Sequence, residues 1–354
     1  MPGNSIGKLF RVSTWGESHG KALGVLIDGC PAGIDLNEKD VQEELDRRKP
    51  GVISGTKRAE NDKVEILSGV FKGKTTGSPI SMVVFNENAR PDDYENIKEI
   101  YRPGHADYTY EKKYGIRDYR GGGRSSGRET VARVMAGAVA YKLLKKSKIS
   151  IIGHTIQIGH IKADKFQIKE IETNELKCAD KKAALEMLKL IDEVKKEKDS
   201  IGGIIEIIIK NVPTGLGEPV FDKLDADLSK AIMSIGGVKG ISIGAGFETA
   251  LMKGSGNNDK YGIKNGKIRT LSNNAGGILG GISNGEDIVL RIAIKAPASI
   301  GISQKSVNSS GKIVDFKIEG RHDVCIAPRV IPVAKSMVAI VLADHLLRQS
   351  AISN

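Results

Sequence analysis

A glycine-rich turn that runs into a helix start, at residues 120–128, constrains this chain more than any other feature. Three consecutive glycines, Gly121 to Gly123, precede Arg124-Ser125-Ser126 and an apolar-periodic segment. Such a turn leaves backbone N–H groups pointing outward at a helix N-terminus, where the helix dipole favours an anion. The surrounding stretch 102–128 carries seven Lys or Arg residues against three acidic ones, and guanidinium groups recognise phosphate and carboxylate bidentately. The segment therefore predicts one wall of a pocket for a small molecule with several negative charges.

The helix that follows has a marked beginning. Ser126 and Glu129 have the S-x-x-E spacing of a capping box, which satisfies two backbone donors at a helix N-terminus. Apolar residues then recur with helical spacing and predict a helix over about 127–146; they are Val131, Val134, Met135, Ala138, Val139 and Leu143.

The charge of the chain permits an anionic partner but does not favour nucleic acid. The formal net charge is +11, yet aromatic residues make up only 5%, whereas nucleic-acid binders usually interleave aromatic and basic side chains. Much of the lysine excess lies in 181–198, where a solvated helix face is the simpler interpretation. No apolar run approaches 18 residues, so the sequence predicts neither a transmembrane helix nor a membrane partner.

The cysteines indicate a reducing compartment. Cys30, Cys178 and Cys325 are odd in number and widely spaced, which favours reduced thiols in a cytoplasmic protein over a disulfide framework or a zinc site. The sequence contains no clustered metal-ligand motif, and no metal is expected.

Strand and helix patterns do not alternate regularly, which predicts a single α+β domain over 1–354 and argues against a doubly wound sheet. The segment 87–124 is too polar and glycine-rich for regular structure, and a loop of that length is usually functional. Helices are predicted at 38–48, 127–146, 181–198, 218–234 and 332–348, and strands at 8–15, 22–29, 64–71, 79–85, 149–160, 201–210, 241–251, 286–295 and 311–319.

Three of the six histidines lie in unusual surroundings. His19 is in the turn Gly16-Glu17-Ser18-His19-Gly20, His105 follows Arg102-Pro103-Gly104, and His322 is flanked by Arg321 and Asp323. Histidine is the natural proton donor near neutral pH. A structural role is the better prediction for any one loop histidine, but two in glycine-flanked turns beside cations favour catalysis. His154, His160 and His345 are predicted to be structural.

Five motifs together resemble the chorismate synthase family, in its order and spacing over nearly the whole chain. They are GESHG at 16–20, RPGHADYTYEKKYG at 102–115, RGGGRSS at 120–126, AGGILGG at 275–281 and GRHD at 320–323. The resemblance implies a β-α-β sandwich with helices packed between antiparallel sheets, and a homotetramer.

The same resemblance implies a carbon–oxygen lyase of the shikimate pathway. Its reaction is the anti-1,4-elimination of phosphate from 5-enolpyruvylshikimate 3-phosphate to give chorismate. Reduced FMN is required although there is no net redox change, and NADPH is expected as an external source of reducing equivalents. A substrate with two carboxylates and a phosphate, beside the phosphate of FMN, agrees with the cationic pocket predicted above.

By family resemblance, His19 protonates the departing phosphate with Ser18 beside it, His105 keeps the reduced flavin neutral, and Asp323 assists proton removal. The residues expected to bind substrate anions are Arg48, Arg102, Arg128 and Arg321. Those expected to contact the cofactors are Arg48, Arg124, Ser125, Ser126, Gly236, Gly237, Gly280, Lys295, Ala296, Pro297, Ala298, Ser299 and Arg321.

The chain departs from the family pattern at several positions. Ser54 replaces a second arginine, for which Lys57 or Arg58 could compensate, and Lys335 replaces a glutamate of the last helix. The other departures are Gly127, Gly236-Gly237, Asn274 and Ala296-Pro297-Ala298. None replaces His19, His105 or Asp323, so turnover is expected to persist. The alternatives are a divergent relative that binds FMN or an anionic metabolite without turnover and, on charge alone, an RNA-binding protein.

Overall fold

Two antiparallel sheets enclose a layer of helices in this protein, for which a computed structural model describes residues 3–49, 62–86, 95, 97–318 and 323–352. Within these residues, the first sheet has the strand order β1-β2-β3-β7-β4, with β1 at Ser5–Ile6, β2 at Arg11–Gly16, β3 at Ala22–Asp28, β4 at Val64–Ser68 and β7 at Ile80–Phe85. The second has the order β11-β16-β10-β8-β9, with β8 at Ser150–Ile158, β9 at Ile161–Lys162, β10 at Gly203–Lys210, β11 at Val238–Ile243 and β16 at Ile288–Ile294.

Four short hairpins lie outside the two main sheets. They pair β5 (Val70–Phe71) with β6 (Lys74–Thr75), β12 (Tyr261–Lys264) with β13 (Lys267–Thr270), β14 (Ile278–Leu279) with β15 (Ile282–Ser283), and β17 (Gln304–Val307) with β18 (Ile313–Phe316), in the part of the chain that the structure describes.

The helix layer is centred on two long apolar helices. The helices are α1 (Glu38–Arg48), α2 (Asp107–Tyr114), α3 (Thr130–Lys146), α4 (Lys181–Lys196), α5 (Leu224–Met233), α6 (Gly254–Asn257) and α7 (Ala327–Ile352). α3 packs against β2, β3 and β7 of the first sheet, α7 packs against β8 and β10 of the second, and the two helices pack against each other. The predicted α+β fold, with helices between antiparallel sheets, is confirmed.

Burial patterns explain this layering. In β16 the residues Ile288, Leu290, Ile292 and Ile294 are buried and alternate with half-buried ones, as expected for an antiparallel sheet with one face on the core. α3 is buried on nearly all sides, because a helix enclosed by other layers has no polar face to present to water. α7 is long and apolar enough to cross a membrane by composition, but 78% of its most apolar stretch is buried inside the fold.

The two central helices approach each other at Gly137 of α3. A β-carbon built at Gly137 would lie 2.3 Å from the Cβ and 2.7 Å from the Cα of Ser336 in α7. Because Ser336 is fully buried, neither helix can move aside without opening the core.

Gly137→Ala is therefore expected to destabilise the fold although alanine favours a helix. Overpacking costs about 1–3 kcal/mol and the gain in helix propensity is about 1 kcal/mol, so we expect a net loss of up to about 2 kcal/mol in the free energy of unfolding. Urea denaturation checks this, with Gly256→Ala in α6 as the control, since that exposed glycine has nothing within 4 Å of a built β-carbon. Adding Ser336→Gly should restore part of the loss; equal stability of both alanine variants would contradict the steric argument.

Most predicted elements are confirmed, and the differences have local causes. The predicted helix 38–48 is α1, with Asn37 and Asp40 forming a capping box. The prediction that 87–124 lacks regular structure is wrong at α2, which is held by ionic contacts and not by an apolar stripe. The helix predicted at 218–234 begins only at Leu224, and the strand predicted at 241–251 ends at Ile243 and continues as a 3-10 turn.

The capping box predicted for Ser126 and Glu129 is wrong in its second half. The Ser126 hydroxyl accepts from the backbone N–H of Arg128 at 3.3 Å and caps a 3-10 turn, Gly127–Glu129, so that α3 starts at Thr130. The Glu129 carboxylate pairs instead with Arg133 at 2.9 Å.

Candidate active site

The His19 turn joins β2 to β3 at one end of the first sheet. The Ser18 Oγ lies 3.1 Å from His19 Nδ1, and the backbone N–H of Gly20 donates to the Glu17 carbonyl at 3.2 Å. Ser18 is buried and His19 half-buried. The turn thus presents a histidine whose ring already has a hydroxyl partner.

The glycine-rich segment packs directly on this histidine. Gly121 has φ +69°, and a β-carbon built there would lie 2.4 Å from Cε1 and 2.6 Å from Nδ1 of His19. The Arg120 carbonyl accepts from the Ser18 hydroxyl at 3.4 Å. The structure therefore brings together two motifs that are a hundred residues apart in the sequence.

Asn86, directly after β7, links the His19 turn to Arg128. Its Nδ2 donates to the carbonyls of Glu17 and Gly20 at 3.0 and 2.8 Å. Its Oδ1 accepts from Nη2 and Nε of Arg128 at 3.1 and 3.2 Å. The amide of Asn86 therefore forms hydrogen bonds through both its nitrogen and its oxygen. The sequence analysis did not identify this residue.

Asp62 holds two of the predicted substrate-binding arginines. Its side chain is 1% exposed, Oδ1 lies 2.6 Å from Nη1 of Arg128, and Oδ2 lies 3.0 Å from Nη2 of Arg48. Gln42 of α1 fixes the backbone here, donating to the Asp62 carbonyl at 2.7 Å and accepting from the N–H of Val64 at 3.1 Å. Two guanidinium groups thus share one carboxylate.

Other cations of the 102–128 segment are paired with carboxylates of the same segment. Arg102 binds Asp107 through Nε and Nη2, both at 2.8 Å, and Arg120 binds Asp118 in the same bidentate way at 2.9 and 3.1 Å. Burial raises the pKa of Asp107, but the hydrogen bonds and charge of Arg102 outweigh it and hold that pKa below its usual range. The balance is the same for Asp118 beside Arg120. These pairs fix the guanidinium planes before any ligand arrives.

His105 is enclosed by a second segment, Lys295 to Ser299. Its Nδ1 lies 2.9 Å from the Pro103 carbonyl and its Nε2 3.1 Å from the Ser299 hydroxyl. Lys295 Nζ donates to the Gly104 carbonyl at 2.8 Å, and a β-carbon at Gly104 would lie 2.8 Å from that of Ala298. Burial, and then the positive charge of Arg102, lower the pKa of His105 below its usual value.

A close approach joins this histidine region to the His19 region. The Arg102 Nη2 lies 3.5 Å from the position of a β-carbon at Gly122, next to the Gly121 that packs on His19. The structure thus brings Ser18, His19, Arg102, His105 and Arg128 into one continuous group, with Arg48 adjoining through Asp62.

Asp323 is connected to the same Lys295–Ser299 segment through its neighbours in the chain. It pairs with Arg329, and the carbonyl of the following Val324 accepts from the N–H of Ile201 at 2.8 Å. The neighbouring Ser200 donates to the Pro297 carbonyl at 2.6 Å. On the other side, the Gly237 carbonyl accepts from the N–H of Lys295 at 2.9 Å.

The remaining predicted cofactor residues occupy varied places. The Arg124 guanidinium donates to the carbonyl of Gly16 at 3.1 Å and to the hydroxyl of Thr14 at 2.8 Å, and Ser125 donates to the Gly122 carbonyl at 2.7 Å. Gly280 is in the turn between β14 and β15, whose described contacts are with Lys223 and Gly217 and not with His19 or His105. Arg321 and His322 lie outside the described residues.

The departures at Asn274 and Lys335 lie away from this group, whereas Ala296, Pro297 and Ala298 belong to the segment that encloses His105. Asn274 lies at the base of the β12–β13 hairpin, where its side chain donates to the Asn257 carbonyl at 3.1 Å, and Gly236 has open space beside it. Burial lowers the pKa of Lys335 in α7, opposed only in part by the negative charge of Glu44. Ser54, Lys57 and Arg58 lie outside the described residues.

A cavity of about 780 Å³ lies elsewhere, along the β12–β13 hairpin, and its lining contains none of the predicted site residues. The candidate site rests on the side-chain network above and not on that cavity.

Comparison with known proteins finds one family over nearly the whole chain. The family model described as chorismate synthase matches residues 10–347. The chorismate synthases of Chloroflexus aurantiacus and Methanosarcina mazei are each 54% identical to this chain, covering 99% and 100% of it and 96% and 98% of their own lengths. A crystal structure of chorismate synthase superposes with a TM-score of 0.76 at 34% identity, over 97% of this chain and 93% of that one. The chain therefore belongs to the chorismate synthase family, the lyases that form chorismate in the shikimate pathway.

Proposed function

We propose that this lyase eliminates phosphate from 5-enolpyruvylshikimate 3-phosphate at the group formed by His19, Arg102, His105 and Arg128, with reduced FMN bound beside the substrate. The observation that carries the proposal is the continuity of this group, in which two half-buried histidines and fixed guanidinium groups adjoin one another. Such preorganised cations stabilise the charge of a departing phosphate without reorganising during the reaction.

Arg48 and Arg128 are proposed to bind the substrate anions. Both guanidinium groups contact the carboxylate of Asp62, which holds them in place before a ligand binds. Arg102 and Arg321 are proposed to complete the anion site. The guanidinium plane of Arg102 is fixed by its bidentate pair with Asp107. Bidentate guanidinium contacts of this kind suit both carboxylate and phosphate.

His19 is proposed to donate the proton to the departing phosphate. Ser18 Oγ lies next to Nδ1 and holds the ring in place, and Nε2 is proposed to carry the proton that is transferred. A positioned histidine of this type is suited to general acid catalysis near neutral pH.

Residues of the Lys295–Ser299 segment and of the glycine-rich turn are suited to bind reduced FMN. Lys295, Ser299, Ser125 and Ser126 offer a cation and hydroxyl groups, and Gly236 has open space beside it. Reduced FMN supplies electron density transiently so that phosphate can leave without net redox change. Contacts of Gly280 and Arg124 with FMN stay a prediction. NADPH is proposed as the external source of reducing equivalents.

His105 and Asp323 are proposed to handle protons on the cofactor side. A carbonyl only accepts, so Nδ1 of neutral His105 carries the proton toward Pro103 and Nε2 accepts from the Ser299 hydroxyl. His105 can therefore receive or return a proton through Ser299. Asp323, fixed by Arg329, is proposed to assist proton removal at the flavin.

His105→Ala is expected to lower kcat about 100-fold with a smaller change in KM, because it removes a proton-transfer group and not a substrate anchor. Ser299→Ala should lower kcat less, by about tenfold, since His105 remains. Steady-state kinetics with reduced FMN under anaerobic conditions measure both values. Wild-type turnover in His105→Ala would remove this residue from the reaction.

The lowered pKa of His105 also predicts a pH dependence. The unfolded histidine takes up a proton near about pH 6.5, whereas the folded one stays neutral to lower pH. The unfolded chain then binds more protons, so stability is lost as the pH falls below about 6.5. Between the unfolded and the folded pKa of His105, the free energy of unfolding should therefore fall less with decreasing pH in His105→Ala than in the wild type.

An anaerobic assay with reduced FMN and the enolpyruvyl substrate tests the function as a whole. Release of phosphate together with chorismate supports the lyase. Flavin binding without release would point to a relative that has lost turnover, and tight, salt-sensitive RNA binding without flavin affinity would point to an RNA-binding protein.

The assembly, domain and location are proposals as well. A homotetramer is supported by large exposed apolar side chains at 246–271, among them Phe247, Leu251 and Ile263 at 86, 83 and 82% exposure, since such surface usually marks an interface. Light scattering of the purified protein tests the homotetramer.

A single domain is supported by the packing of α7 against both α3 and the second sheet. A cytoplasmic location is supported by three free, buried cysteines.

A further inference from the structure

The side-chain amide of Asn86 makes four hydrogen bonds within the candidate site. Its Nδ2 donates two hydrogen bonds to the backbone of the His19 turn, at Glu17 and Gly20. Its Oδ1 accepts two from the guanidinium of Arg128. The amide orientation is fixed by its partners, because carbonyls only accept and a guanidinium only donates.

The backbone of Asn86 forms a further hydrogen bond that fixes the position of this residue. Its N–H donates to the Lys21 carbonyl at 3.0 Å, which continues the β3–β7 pairing by one residue beyond Ala22 and Phe85. The side chain therefore projects from the end of a central strand pair and not from a free loop. On its far side, Arg128 is held by the buried Asp62.

We propose that Asn86 is a positioning residue that fixes the His19 turn relative to Arg128, so that the proton donor and the anion-binding guanidinium keep one spacing during turnover. The proposal rests on the proposed roles of His19 and Arg128. Asn86 itself acts through those two residues, and Asp62 anchors the opposite side of the same guanidinium.

Two substitutions separate the two ends of the amide. Asn86→Asp keeps acceptor oxygens for Arg128 but replaces the donor that faces the Glu17 and Gly20 carbonyls with a third acceptor, which repels them. We expect kcat to fall about 10- to 100-fold, because small displacements of a catalytic group have effects of that size, while KM stays within about threefold. Asn86→Ala loses both ends, so KM should also rise, by about tenfold for a lost charge-assisted hydrogen bond.

Asn174 provides a matched control. Its Nδ2 donates to the carbonyls of Glu170 and Cys178 at 2.7 and 2.9 Å, and its Oδ1 accepts from the N–H of Cys178 at 3.0 Å. Asn174→Asp therefore makes the same chemical change against two carbonyls in the loop before α4. It should lower the melting temperature about as much as Asn86→Asp and leave kcat within about twofold, as expected away from the site.

A double-mutant cycle tests whether Asn86 acts through His19. If it does, Asn86→Asp should cost less than about threefold in the residual rate of a His19→Ala protein, because coupled residues are not additive. A merely structural role would cost the same factor with and without His19.

A readout without turnover keeps this inference separate from the proposed function. In protein labelled with ¹³C-histidine, the His19 ring signal, assigned from His19→Ala, should shift in Asn86→Asp and stay in place in Asn174→Asp. Should the wild-type protein release no phosphate, the proposed function fails while the ring signal still tests the positioning. An unmoved His19 signal, a wild-type kcat in Asn86→Asp, or an equal cost in the His19→Ala background would each overturn the inference.

Discussion

Replacing His19 with alanine is expected to lower kcat by about 10²- to 10⁴-fold, the usual loss when a general acid is removed. KM should change much less, because the anion-binding guanidinium groups of Arg48 and Arg128 are held by Asp62 and not by His19. Phosphate release with reduced FMN under anaerobic conditions measures both values. The exposed His160, in the turn between β8 and β9, gives the control: His160→Ala should match the wild type.

A second substitution separates proton transfer from hydrogen bonding at this position. His19→Gln can still interact with the Ser18 hydroxyl, which now lies 3.1 Å from Nδ1, but it cannot donate a proton to the leaving group. We expect His19→Gln to be as slow as His19→Ala. If glutamine restored most of the rate, His19 would act by hydrogen bonding alone and its assignment as the acid would be wrong.

The sequence predicted the elements that are marked by local signals. The helix at 38–48 was predictable because its periodic face and the proline after it lie within a dozen residues, and the structure has α1 at Glu38–Arg48. The histidine turns and the arginine-rich segment were recognisable for the same reason, since motifs of a few residues carried them. α2 had no such signal, because its ends are held by Arg102–Asp107 and Arg117–Glu111 ion pairs.

The residues that position the site could not be predicted, because their partners are distant in sequence. Asp62 meets Arg128 across 66 residues of chain and Asn86 meets Glu17 across 69. No local pattern distinguishes such a carboxylate or amide from a solvated one. The acids of the 102–128 segment were visible only as opposing charge, whereas Asp107 and Asp118 are the groups that orient its guanidinium planes. The structure thus shows that Arg102 and Arg120 of this pocket wall are held in fixed ion pairs.

Gly121→Ala is expected to reduce turnover at least about 100-fold while costing only about 1–2 kcal/mol in stability. Two constraints act on this residue. Its φ of +69° is strained for alanine, and the new methyl group would lie 2.4 Å from Cε1 and 2.6 Å from Nδ1 of His19. The imidazole is the part that can move, because it is the end of a rotatable side chain, so the overlap is relieved by turning His19 away from Ser18.

The stability cost and the catalytic cost can be measured separately, because the chain offers a glycine with the first constraint and not the second. Gly115, at the end of α2, has φ +75° and nothing within 4 Å of a built β-carbon. Gly115→Ala should therefore lose a similar free energy of unfolding and keep kcat within about twofold of the wild type. Chemical denaturation and anaerobic kinetics on both variants make the comparison. Equal kcat values would mean that His19 either does not move or does not need its present position, whereas a selective loss in Gly121→Ala ties the glycine-rich turn to the proton donor.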